Sequence, residues 1–168
     1  MGRDSVFNSG QPTGTSDSPT FVSATLTKDL ALNENPADET TSGITASFTA
    51  GEALSRGECV YLKTSDAKMW KAVATASATA RCIAMAAADI AADASGVFLL
   101  QGLLRDDGTL PTYTVGGVLY TPEAETVGEN VPEQAAPDTT GDFVQVIGWA
   151  VSANILYFDP SGTVIEVA

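Results

Sequence analysis

Enzymatic chemistry needs a nucleophile, a titratable base or a ligand set, and this chain of 168 residues contains no histidine. That removes Ser-His-Asp and Cys-His nucleophile pairs and the commonest transition-metal ligand. Its two cysteines, Cys59 and Cys82, are too few for a structural zinc site, and their spacing matches no ligand pair. Both lie in apolar stretches that read as strands. Buried free thiols are the plain reading, with a disulfide left open because sequence does not report their separation. A phosphate loop is missing too: Gly116-Gly117 is not followed by Gly-Lys-Ser or Gly-Lys-Thr and opens a strand.

Carboxylates are the chemistry that remains. Asp106 and Asp107 adjoin a turn at Gly108, Glu123, Glu125, Glu129 and Glu133 crowd one loop, and Asp138 and Asp142 fall in another. A glycosidase needs two carboxylates facing each other across a cleft, one with a raised pKa, and nothing in these spacings selects such a pair. A hard cation such as calcium takes oxygen ligands, but neither 106–108 nor 138–142 matches an EF-hand loop. The expectation is solvated acidic loops, no catalytic residue, no metal and no cofactor. Trp70, Trp149, Tyr157 and Phe158 sit in apolar strands and read as core or subunit-contact residues. A sugar-binding platform is the alternative that exposure would favour.

Charge narrows the partners. The formal net charge is −13, and residues 106–168 contain ten Asp or Glu and no Lys or Arg. Nucleic-acid affinity rests on cations that neutralise phosphate, so no nucleic-acid partner is expected. No run approaches the length of a membrane span, and the first twenty residues carry no apolar signal core, so no membrane partner is expected either. An apolar fraction of 44% fits one folded domain with a real core plus an arm.

The elements that must hold these residues read as short strands. Period-2 alternation punctuated by Gly, Pro, Asn and Asp places them near 44–48, 58–63, 69–74, 80–86, 97–104, 113–121, 143–152, 155–158 and 163–167. Ala dominates residues 72–94 and favours helix there. The interspersed Thr, Ser and Asp leave room only for a short loop or helical turn at Ala87–Ala94. Gly-rich turns at roughly 8–12-residue intervals argue for an all-β sandwich or barrel-like domain over 44–168. Residues 1–43 are polar, with scattered apolar residues that cannot close a core of their own. They read either as a flexible tail or as an extended N-terminal arm in which Phe7, Phe21, Val22 and Leu26 are candidate anchors to a neighbouring subunit or another docking surface.

Several phrases of the chain, in order, resemble a module of tailed-bacteriophage virion structural proteins. They are "GEALSRGECVYL", "ARCIAMAAADIAADASGVFLLQGLLRDDG", "GGVLYTP", "TTGDFVQVIGWAVSANILYFDPS" and the closing "VIEV", together covering roughly residues 51–167. The second departs from the module's wording, since Cys82-Ile83-Ala84 stands where Gly-Ile-Ala is usual. Such modules occur in capsid decoration proteins, head fibres and tail fibres. One compact domain plus an arm, without a shaft, is most like a small decoration (cement) protein.

That resemblance implies a particle component on the capsid exterior, not an enzyme. It would bind the major capsid protein, typically as a homotrimer fastened by its arm, with a head-fibre or tail-fibre module for host recognition as the alternative. Ala-heavy strands leave a modest private core. Trp149, Ile155, Tyr157 and Ile165 are therefore expected at the interface between subunits, where symmetric closure adds shared burial.

Overall fold

The computed structural model describes residues 31–123 and 130–168. Leu32–Ala168 make one compact unit, which starts ahead of the expected junction at Ile44. Residues 33–39 belong to it because Arg105 reaches back to the Asn35 side chain and the Pro36 carbonyl, and the Asp38 carboxylate accepts the Asp107 N–H. Polar composition concealed that attachment.

The protein is all-β, with no helix among the described residues. Its strands are β1 (Thr40–Thr49), β2 (Cys59–Leu62), β3 (Met69–Lys71), β4 (Ala84–Ala86), β5 (Ser95–Arg105), β6 (Val118–Tyr120), β7 (Phe143–Val144), β8 (Val146–Ala150), β9 (Ile155–Phe158) and β10 (Ile165–Glu166). Every expected strand is present, most of them shortened. Residues 87–94 form a loop, not a helical turn, held by an antiparallel bridge between Leu54 and Ile90. Ala72, Ala74, Ala80, Ala84 and Ala86 are fully buried. In this stretch tertiary packing of a small side chain overrides helix propensity.

Strand β5 is the spine of an antiparallel sheet that curls into a half-barrel. One of its edges carries β1 along the full length, while the other carries β4-β2-β3 on its N-terminal half and β9-β8-β6 on its C-terminal half. Strands β7 and β10 form a separate two-stranded ribbon. Two clusters fill the two sheet faces. The concave one includes the register rows Cys59–Met85–Leu99 and Leu104–Leu156–Ala150. The convex one includes Val60, Ala84, Ala86 and Phe98, capped by Ala50, Leu54 and Ile90 from loops.

A bulge makes both faces possible. Ile44 pairs with Gln101 and Thr45 with Leu99, so Leu100 is an extra residue in β5. Without it Leu104 would point outward, because successive side chains alternate; with it Gly102 and Leu104 face the concave core. Strand 143–152 is also interrupted, at Gln145. The buried Gln145 side chain accepts the Cys82 N–H and donates to the Cys82 and Ser161 carbonyls, pairing with Cys82 as a strand backbone would.

Candidate functional site

The convex face is covered by loops on one of its two wings and, on the other, is left open only at the end away from β1. Register aligns Ser42, Leu103, Tyr157, Trp149 and Val118 in one row across β1, β5, β9, β8 and β6. At the strand spacing of a sheet the row is about 19 Å long. It contains no charged residue. The Trp149 and Tyr157 rings lie against each other, with centroids 4.5 Å apart and planes tilted by 30°. Trp149 is 43% exposed, Val118 41%, and Ile44, on the same face of β1, 51%. Residues 33–36 come over the β1–β5 end of this wing, where the Asn33 N–H donates to Ser42 Oγ and Arg105 reaches Asn35 and Pro36, and Leu103 is buried there; among the described residues the Trp149–Val118 end stays exposed. An aromatic pair at the exposed end of an uncharged row is the composition of a protein-contact hot spot.

The expected contact residues fall in different places. Trp149 and Tyr157 are brought together in the row. Ile155 shares their face but is already buried by its own chain, so its side chain has almost no surface left for a neighbour. Ile165 is well exposed but lies on the β7–β10 ribbon, apart from the row. Phe158 is core, and Trp70 packs under the Lys63 ammonium with its indole N–H on Asp66. The anchors Phe7, Phe21, Val22 and Leu26 lie outside the described residues. Sequence reading missed Ile44 and Val118, since alternation marks a strand without saying which of its faces stays open.

Several of the acidic residues have structural partners. Asp106 is buried. Its carboxylate accepts the Gly108 and Thr109 N–H groups at 2.9 and 2.7 Å and pairs with Arg56 at 3.1 Å. Burial by itself would raise this carboxyl, but those two N–H donors and the guanidinium prevail and hold it below the ordinary carboxylate value. Asp107 is gripped by the Arg105 fork at 2.9 Å through both oxygens. Glu58 is wholly buried on Lys71 at 3.1 Å, with the Ser55 N–H on its other oxygen. Beside it Asn130 donates to the Cys59 and Ala72 carbonyls. Glu125 and Glu129 lie outside the described residues, and among those described no three acidic or cysteine side chains converge as a ligand set.

A cavity of about 630 Å³ opens between 108–113 and 131–135. Its polar groups are engaged internally: the Tyr113 hydroxyl donates to the Pro132 carbonyl, and the Gln134 amide clamps both backbone groups of Thr114. Burial raises the Glu133 carboxyl there above its ordinary value, against a backbone hydrogen bond from Glu123. Cys59 and Cys82 are both buried free thiols in contact, and burial pushes Cys59 up, with the neighbouring thiol adding to the shift. No protein-family model matches the chain, and no curated protein matches it in sequence.

Proposed function

We propose that the chain is a decoration protein of a tailed-bacteriophage capsid, seated on the outer shell as a homotrimer. The observation that carries this reading is how the virion-like phrases fall on the fold. "GECVYL" leads into β2, "ARCIAMAAADIAADASGVFLLQGLLRDDG" spans β4 and β5, "GGVLYTP" is β6, the long hairpin phrase is β7 to β9, and "VIEV" closes on β10. The phrases are consecutive pieces of one β-unit, which supports treating them as a module rather than chance words. The uncharged aromatic row beside an acidic remainder supports protein contact over catalysis.

The mechanism is mechanical. A protein that binds the assembled shell and not its dissociated subunits stabilises the assembly by mass action. Phe7, Phe21, Val22 and Leu26 would insert into the major capsid protein, each contributing about 1.5–3 kcal/mol when fully buried, before ordering costs. No reaction and no cofactor is involved.

Exposure of Trp149 beside Tyr157 is the observation that favours a host-recognition fibre module instead. Sugar sites add precisely placed polar groups to an aromatic platform, whereas Leu103 and Val118 flank this one. The test is co-sedimentation of full-length protein with undecorated shells, with Phe21→Ala in parallel, followed by cryo-electron microscopy of the decorated particles. Saturable binding, density at three-fold positions and weaker binding of the variant are expected. No binding to shells, or density only at the tail, overturns the reading in favour of the fibre module.

A further inference from the structure

We propose that copies of this chain meet head to tail, the free edge of β1 in one copy packing against the Val115, Val118 and Trp149 end of the convex face in the next. The inference rests on the homotrimer proposed above and identifies its two contact surfaces.

The first surface is β1. It is paired with β5 on one side; on the other, the chain just past its end is bridged to Met69 of β3 through Ala50 and the Gly51 N–H, and among the described residues no strand pairs with residues 43–49. Proteins usually blunt such an edge with lysine, proline or an inward charge. Here none is used: residues 40–51 contain no charged residue and no proline, and they include the exposed Ile44. The Thr40 and Ser42 hydroxyls are engaged by Ala37 and Asn33 of the same chain, which leaves the edge from Gly43 to Thr49, with the Thr45, Ser47 and Thr49 hydroxyls, to hydrogen-bond with whatever covers it.

The second surface is at the far end of the same face. Residues 108–122 are likewise uncharged, and within them Val115 is 66% and Val118 41% exposed. Trp149, opposite Val118 in the register, extends this apolar knob towards Tyr157.

Charge selects the occupant. A chain of net charge −13 repels its own copies except where both facing surfaces are neutral. Both of these stretches are neutral, so a second copy can bring one against the other without opposing charges. A basic protein surface would find no carboxylate in either stretch to pair with. Because the two surfaces differ, the contact is heterologous, and a heterologous contact that closes forms a ring. Three such contacts make the trimer.

The experiment is native mass spectrometry and sedimentation velocity on the full chain with Ile44→Lys and Val115→Lys, each checked for its β spectrum by circular dichroism. Thr45→Lys and Val118→Lys replace any variant that fails to fold. Wild type is expected to be a trimer. Each single variant should be a monomer, with assembly weakened about thirtyfold or more, as when a charge enters a hot spot. An equimolar mixture of the two variants retains one intact contact and should give a 1:1 heterodimer that grows no further. A monomeric wild type would sink the trimer reading itself. A trimeric wild type whose variants also remain trimeric, or whose variant mixture gives no heterodimer up to the solubility limit, overturns the head-to-tail contact alone.

Discussion

Two acidic side chains in this molecule should respond to pH in opposite directions, although both are carboxylates in loops. Asp106 is held below its ordinary value, so its folded form binds protons less readily than the unfolded chain. Its contribution is therefore present above the unfolded value of about 3.9 and lost as pH falls through the lower folded value. Glu133 is raised by burial, so its ionised form costs stability at neutral pH, and that cost disappears as pH falls through the raised value. Chemical denaturation at pH 7 should show Asp106→Asn less stable by about 2–3 kcal/mol, the scale of charge-assisted hydrogen bonds. It should show Glu133→Gln slightly more stable. Both differences should shrink on acidification, and a Glu133→Gln variant that is less stable at pH 7 would contradict the assignment. The buried Glu58–Lys71 pair makes a separate prediction. Lys71→Met strands a carboxylate with no access to water and should cost about 3–5 kcal/mol, whereas replacing both partners by apolar residues should cost far less than the sum of the two single losses. A double-mutant cycle by urea titration reads this directly.

At the scale of elements, the curl of the sheet depends on close strand approaches at glycine. Gly43 and Gly102 face each other across β1 and β5, and Phe158 links Gly102 to Gly148 in the same row. Gly102 has φ of +138°, and a Cβ placed there would collide with the Ser42 carbonyl oxygen and the Gly43 Cα. Gly102→Ala should therefore lose about 2–4 kcal/mol, from backbone strain plus displaced neighbours. Gly162→Ala, where a Cβ meets open space, should stay within about 0.5 kcal/mol. Equal thermal shifts in the two would show that the β1–β5 approach tolerates a methyl group. This row also marks what was legible in advance. Turn residues such as Asp106-Asp107-Gly108 and Ala153-Asn154 delimit strands locally, so the existence of the strands could be read from the chain. The extra residue at Leu100 and the break at Gln145 could not, because each is defined by a partner distant in sequence. The open face could not be read for the same reason: Val118, Trp149 and Tyr157 become one row only once β6, β8 and β9 are in register. Asp106 read as a solvated acid because its partner, Arg56, is fifty residues away.

For the whole molecule, the proposed trimer would balance a charge of −13 per copy against neutral contact surfaces. Every copy added to a ring brings its full charge to within a subunit's width of the others, while the proposed contacts contain no opposite charges to offset it. Salt should therefore strengthen assembly. Screening lengths fall from about 30 Å at 0.01 M to about 3 Å at 1 M ionic strength, so repulsion between the acidic loops of neighbouring copies fades while apolar burial at Ile44, Val115 and Trp149 is left intact. Sedimentation velocity across that range should show the trimer fraction rising steadily with sodium chloride. Lowering the pH towards the isoelectric point near 4.1 should act in the same direction, because it discharges the same loops. Arg105 and Asp107 neutralise each other at one border of the row, and Asp159 is tied to Gln101 at another, so neither supplies an attractive pair that salt could weaken. Trimers that dissociate as salt rises would mean that subunits are joined by opposite charges. The few cations of residues 31–105, Arg56, Lys63, Lys68, Lys71, Arg81 and Arg105, would then have to be searched for the one that reaches a neighbour's carboxylate, and the neutral-edge contact would be lost with that result.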